Sequence, residues 1–245
     1  MNVLINEFSE YLRIEKRHSP HTVEGYCRDL GRFSRAFPEA EASSMTTGQI
    51  REFLLLLRNE GLSASSIARS LSSVKSFFRY LCEDKQLKTN PAEILESPRK
   101  WRKLPDVLSL VDVDKLLRCP DQDTPLGIRN QAMLEVLYAT GMRVSELISV
   151  KGHNLDLVSG CLRTMGKGSK ERIVPIGMIA RKSLEDYLLN SRPVLVKGQK
   201  REELFLTRRG KAMTRQGFWK LLKGYVLQSN IKASVSPHTL RHAFA

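Results

Sequence analysis

The sequence predicts a mainly α-helical fold in two parts: an N-terminal four-helix bundle, then an α+β domain with one small antiparallel sheet. Three observations lead there. Apolar residues recur at helical spacing through most of the chain. One stretch, residues 97–108, breaks that pattern with two prolines and four cations. Two short apolar segments, 161–165 and 172–176, flank a glycine-containing turn in the manner of a β-hairpin. The boundaries that follow are 1–96 for the helical domain, 97–108 for a basic linker and 109–245 for the second domain.

Within the first part, Leu4, Phe8, Tyr11 and Leu12 give residues 3–17 a helical apolar stripe. Ser19-Pro20 starts a second helix, because serine caps the free N–H groups and proline needs no partner in the first turn. Its buried face is Val23, Tyr26, Leu30, Phe33 and Phe37. Thr46 or Thr47 caps a third helix through Ile50, Phe53, Leu54 and Leu57, which Gly61 stops. Ser63 opens a fourth through Ile67, Leu71, Val74, Phe77, Phe78 and Leu81, and Asn90-Pro91 ends the region. Four amphipathic helices with short connections suffice for a bundle.

In the second part, Ser109 caps a short helix through Val113, Leu116 and Leu117, and residues 125–140 form a longer apolar one. After the hairpin, Ala180 to Leu189 is helical and Leu204-Phe205-Leu206 is a short strand or extended piece. Thr214 caps a helix through Phe218, Leu221, Leu222, Tyr225 and Val226, and Ser236-Pro237 opens a last one.

Charge is segregated. The chain carries a formal +14, but residues 1–100 hold 15 Lys+Arg against 13 Asp+Glu, and residues 101–245 hold 25 against 13. The second part is therefore where a polyanion docks most strongly. On the fourth helix, Ser63, Ser65, Arg69, Ser73 and Lys75 make a polar face of hydroxyls and cations with few acids, of the kind that approaches a phosphate backbone. Arg99, Lys100, Arg102 and Lys103 make the linker a cationic strap. The four cysteines are scattered, with no C-x-x-C pair, so neither a zinc site nor a disulfide frame is expected. No signal peptide is read, and the apolar runs are too short to span a bilayer. A cytoplasmic protein without membrane contact is expected.

The stretch Ala139-Thr140-Gly141-Met142-Arg143-Val144-Ser145-Glu146-Leu147 sets a glycine stop between two helical segments, with Arg143 just beyond it. Arginine is a planar five-donor fork suited to phosphate oxygens, and Glu146 is placed to bond back to it. Gly166-Lys167-Gly168-Ser169-Lys170-Glu171-Arg172 follows, and Pro237-His238-Thr239-Leu240-Arg241-His242 closes the chain. In order and spacing these three motifs resemble the tyrosine recombinases of the phage integrase family, nearest the Xer type, and the likeness extends over the N-terminal helices.

That resemblance implies a set of roles. The first domain becomes a DNA-binding, core-binding bundle and the second a catalytic domain, the two closing around double-stranded DNA as a clamp. Arg143 and Arg241 hold the scissile phosphate, Lys167 protonates the leaving oxygen, and His238 handles a proton or contacts the phosphate. On spacing alone Lys170 and Arg172 compete with Lys167; as DNA-binding residues they join the groups named above. Glu146 orients Arg143. No metal and no cofactor are implied, since the arginines supply the charge that ions supply elsewhere. The full protein acts as a tetramer with itself or a paralogous recombinase, joining DNA through a 3′-phosphotyrosine to resolve chromosome dimers at dif-like sites. The alternatives are a mobile-element integrase and a non-catalytic DNA-binding regulator. The six tyrosines precede His238 and read as core. The catalytic domain is thus read as C-terminally incomplete, and this chain is expected to bind DNA without cutting it.

Overall fold

Helix caps set the frame of the N-terminal half. Ser19, Thr46 and Ser63 each accept a hydrogen bond from a first-turn backbone N–H, opening helices α2 (Pro20–Ala36), α3 (Thr47–Asn59) and α4 (Ala64–Glu83) behind α1 (Asn2–Ile14). Thr46, not Thr47, is the cap of α3, and with Gln49 it completes a reciprocal capping box. In the computed structural model the described residues are all except Lys85, 98–107, 167–170, Ser234, 244–245 and the side chain of His242. The chain divides into two compact units, 1–103 and 104–245.

The first unit is an aromatic-cored bundle. Phe8, Phe33, Phe53, Phe77 and Phe78 are all buried. Phe33 meets Phe53 edge-on at 5.1 Å between ring centroids, and Phe8 meets Phe77 likewise at 5.6 Å. Such edge-to-face pairs add about 1 kcal/mol each beyond the burial itself.

The second unit is built around α6 (Pro125–Thr140). The sequence reads one apolar face here; the structure buries the helix on nearly every side, including Arg129, Asn130 and Glu135. A helix enclosed all round carries no single wet face. It packs against α5 (Leu110–Arg118), α7 (Val144–Ser149), α8 (Met178–Asp186), α9 (Arg192–Val196) and α11 (Pro237–His242). A single π-helical turn, Tyr187–Ser191, joins α8 to α9 and places the buried Tyr187 against Phe205. Thr214 caps α10 (Arg215–Gln228), whose Phe218 and Leu222 enter the same core.

The expected hairpin is present as β2 (Cys161–Met165) and β3 (Glu171–Pro175), antiparallel with Thr164 opposite Arg172. A two-residue strand β1 (Leu155–Asp156) adds to β2, giving a three-stranded sheet in the order β1-β2-β3. Leu204, Phe205 and Leu206 are fully buried but form no strand. Glu203, just before them, makes an isolated bridge to Lys151, and Leu206 makes one to Ala212. Of the six tyrosines Tyr187 is buried; the other five, read from sequence as core, are half-buried. All four cysteines are free and half-buried.

Candidate phosphate-binding site

Gly141 ends α6 in the left-handed region, at φ 56° and ψ 22°, a conformation that costs glycine nothing. The chain turns there and releases Arg143 at the N-cap of α7. Glu146, one turn into α7, is buried at 6% exposure. One of its oxygens, Oε2, accepts from the Arg143 backbone N–H at 2.8 Å; the other, Oε1, accepts from Arg143 Nη1 at 2.9 Å.

The hairpin contributes a third member that linear spacing does not reveal. Arg172, on β3, donates from Nη2 to Glu146 Oε2 at 2.6 Å, across 26 residues of sequence. Both guanidiniums stay partly exposed, at 44% for Arg143 and 40% for Arg172, while the carboxylate between them is sealed off. Burial alone would push the Glu146 carboxyl up. The Arg143 backbone N–H, the Arg143 guanidinium and the Arg172 guanidinium outweigh it, so the carboxyl stays ionised below its ordinary range. Two forks anchored on one buried anion keep their remaining N–H donors for an oxyanion outside, an arrangement suited to phosphate.

His238 and Arg241 lie on α11, which Ser236 caps by accepting from the Thr239 N–H at 3.0 Å. Leu240 anchors this short helix in the core, leaving His238 exposed and Arg241 half-buried. α11 packs on α6, the helix whose end presents Arg143. Lys167 and Lys170 lie outside the described residues, as do Arg99, Lys100, Arg102 and Lys103. Among the described residues no group of three or more His, Cys, Asp or Glu side chains could hold a metal ion.

On α4 the structure corrects the sequence reading in part. Ser63 and Ser65 are exposed, hydrogen-bonded to each other at 3.0 Å at the helix start. Ser73 is fully buried and bonds Asp29 Oδ2 and the Arg69 carbonyl, so it has no surface to offer a ligand. Arg69 is committed to the buried Asp29 through an ion pair and to the Gly25 carbonyl. Lys75 is half-buried and ties down the Glu93 carbonyl at 3.1 Å. What reads as a DNA-facing stripe is therefore partly an internal clasp between α2 and α4. The missing signal is Asp29, an acid placed on a helix face that hydrophobic periodicity alone leaves unassigned.

A test separates the clasp from a DNA contact. Arg69→Ala leaves Asp29 buried without its cation, which costs about 2 kcal/mol once the partial exposure of Arg69 is allowed for. Urea unfolding should show that loss while the salt dependence of DNA binding stays put. A flattened salt dependence with no loss of stability would restore Arg69 to the DNA-facing surface.

The comparisons with known proteins agree on the family. The model described as "Phage integrase family" matches residues 106–245, and "Phage integrase, N-terminal SAM-like domain" matches 5–85. The chain belongs to the phage integrase family of tyrosine recombinases. This recombinase is 44% identical over 250 residues to tyrosine recombinase XerD of Listeria monocytogenes serotype 4b, spanning 100% of this chain and 84% of that protein. It is 42% identical over 248 residues to tyrosine recombinase XerD of Staphylococcus aureus strain Mu50, again spanning 100% and 84%. Among solved structures the recombinase fold matches a lambda integrase (75–356) dimer bound to a COC' core site, with TM-score 0.77 at 16% identity over 100% of this chain and 88% of that one. It also matches the XerH site-specific recombinase bound to palindromic difH substrate, with TM-score 0.74 at 21% identity over 100% and 72%. Among the described residues, no helix of this recombinase is long and apolar enough to cross a membrane.

Proposed function

We propose that this chain is a Xer-type site-specific recombinase that engages double-stranded DNA and holds the exchanged phosphate on the Arg143 side of the second unit. The observation that carries the reading is the buried Glu146 carboxylate with Arg143 and Arg172 fixed on it. Such a device is preorganised: its donors are set before charge develops on the phosphate, so little reorganisation is spent during reaction. Arg241 supplies the second phosphate-binding guanidinium, His238 the proton-handling group and Lys167 the general acid for the leaving oxygen. A lysine protonates that oxygen without a metal, and the arginines carry the negative charge on the non-bridging oxygens.

In this reading residues 1–96 are the core-binding domain, 97–108 a strap lying along phosphates and 109–245 the catalytic domain. The likeness to XerD relatives supports a dif-like site and a role in resolving chromosome dimers. It also supports assembly on DNA as a tetramer with further copies or a paralogue. Work on chromosomal DNA places the protein in the cytoplasm.

The test uses a dif-type duplex and a native gel. Wild-type chain is expected to shift the duplex at low salt, and a single neutral methylphosphonate at the exchanged phosphate is expected to weaken that shift about tenfold or more. Arg143→Ala should bind the unmodified duplex more weakly and lose clearly less than wild type on the methylphosphonate duplex, the remainder being the contact Arg241 still makes. Absence of any shift at low salt would sink the proposal. Full sensitivity to the methylphosphonate in Arg143→Ala would remove Arg143 from the phosphate.

A further inference from the structure

Arg129 is the unusual group of the second unit: an arginine at 6% exposure with no carboxylate paired to it among the described residues. Its contacts are all neutral. Nε and Nη2 donate to Asn130 Oδ1 at 2.9 and 2.6 Å, and Nη1 donates to the Leu206 carbonyl at 2.6 Å. A guanidinium has five N–H donors, so these three bonds leave one on each terminal nitrogen. Burial pulls its pKa below the usual arginine value; a guanidinium nonetheless keeps its proton in proteins, so a positive charge is held out of water with no carboxylate paired to it among the described residues.

That charge borders an open pocket of about 460 Å³ between α6 and α10. The pocket wall adds Lys220, exposed on α10, and Tyr225, whose hydroxyl accepts from Asn130 Nδ2 at 2.7 Å and so keeps its own proton to donate. Gln228 and Asn130 supply the remaining polar wall, and no acidic residue lines it. Gly224 faces the same space, and a Cβ built there would meet nothing within 4 Å. Glycine in the exposed interior of a helix costs about 1 kcal/mol against alanine; here its absence of a side chain keeps the pocket open. Donors and charge converge on one cavity, and acceptors of opposite charge are lacking.

We propose that this pocket is a binding site for the phosphate group of a free small molecule, held by Arg129, Lys220 and Tyr225. It is separate from the Arg143 cluster: Thr140, where α6 ends and that cluster begins, lies roughly 16 Å further along the helix. The volume falls in the range of small-ligand sites, about 300–1,000 Å³. Two kinds of source carry phosphate here, a free ligand and the DNA backbone, and the distance from the Arg143 end favours the free one.

Inorganic phosphate is the probe, titrated into the full chain against chloride at matched ionic strength. A saturable rise in melting temperature of a few degrees is expected with phosphate only. Lys220→Glu, a change on the exposed side of α10, should weaken phosphate by about tenfold or more while leaving the free protein folded. Gly224→Ala should raise the melting temperature of the free chain and lower phosphate affinity together, a pairing that a purely structural gap does not produce. Repeating the titration with a duplex bound separates the sources. Undiminished phosphate binding supports the free-ligand site, and displacement by the duplex would overturn it in favour of a backbone contact. No saturable response beyond chloride, or an unchanged response in Lys220→Glu, would overturn the site itself.

Discussion

Replacing Glu146 with alanine lowers the melting temperature by roughly 4–8 °C, and it weakens the selective grip on one phosphate while leaving general attraction to DNA intact. The stability loss has two sources. The backbone N–H of Arg143 loses its acceptor at 2.8 Å, which is the loss of a helix cap and worth about 1 kcal/mol. The two guanidinium bonds at 2.9 and 2.6 Å are lost as well, but both arginines are partly exposed and rehydrate, so together they add only about another 1 kcal/mol. DNA responds with a different sign. The variant gains one unit of positive charge, so the slope of log affinity against log salt does not fall. Only the penalty for a methylphosphonate at the exchanged phosphate should shrink, because Arg143 and Arg172 are no longer aimed. A variant that melts like wild type and keeps the full methylphosphonate penalty would show that Glu146 neither supports the fold nor orients the arginines.

Acidity gives the same carboxylate an independent readout. Burial opposes ionisation of Glu146, yet the Arg143 backbone N–H, the Arg143 guanidinium and Arg172 together hold its pKa below the unfolded value of 4.5. A carboxyl depressed on folding contributes stability above its unfolded pKa and loses that contribution as pH falls through the folded one. The stability gap between wild type and Glu146→Gln is therefore full at neutral pH and closes as pH drops below 4.5. A gap that stays constant down to the acid limb would mean the ionised form is not what the arginines stabilise.

How far the chain could be read in advance depends on how local each determinant is. Ser19, Ser63, Ser109, Thr214 and Ser236 cap the helices expected of them, because a cap is a contact between residues three apart. The Arg143–Glu146 bond is legible for the same reason. Arg172 meets Glu146 only because the hairpin pairs Thr164 with Arg172 and brings β3 beside α7, a relation that no spacing along the chain encodes. Asp29 is similar: it faces Arg69 and Ser73 from another helix, and their capture turns part of an anticipated DNA-facing stripe into an internal clasp. Leu204 to Leu206 read correctly as apolar, but the chain bends at Leu204 and Phe205; a strand needs a continuous partner, and the bridges on offer are single and lie outside the sheet. Family motifs carried the assignment of Arg143, Lys167, His238 and Arg241; residue chemistry alone left Lys167, Lys170 and Arg172 as equals.

Neutralising Arg99, Lys100, Arg102 and Lys103 together flattens the salt dependence of DNA affinity by about 3 to 4 units of slope. Each cation that sits on a phosphate releases a condensed counterion, and each such release contributes about 0.9 to the slope on B-form DNA. Between about 50 and 200 mM salt, wild type should then lose roughly 150-fold more affinity than the fourfold variant. The comparison is informative because these charges are a minority. Residues 101–245 carry a net +12, so the variant remains strongly basic and general attraction to the polyanion persists. A change confined to the slope and to affinity at raised salt thus reports contacts made by the strap itself. A solvated tether predicts a different pattern, a uniform small loss with the slope almost unchanged, since cations that never reach a phosphate release no counterion. That second pattern would make the segment a spacer between the two units and leave DNA capture to the units themselves.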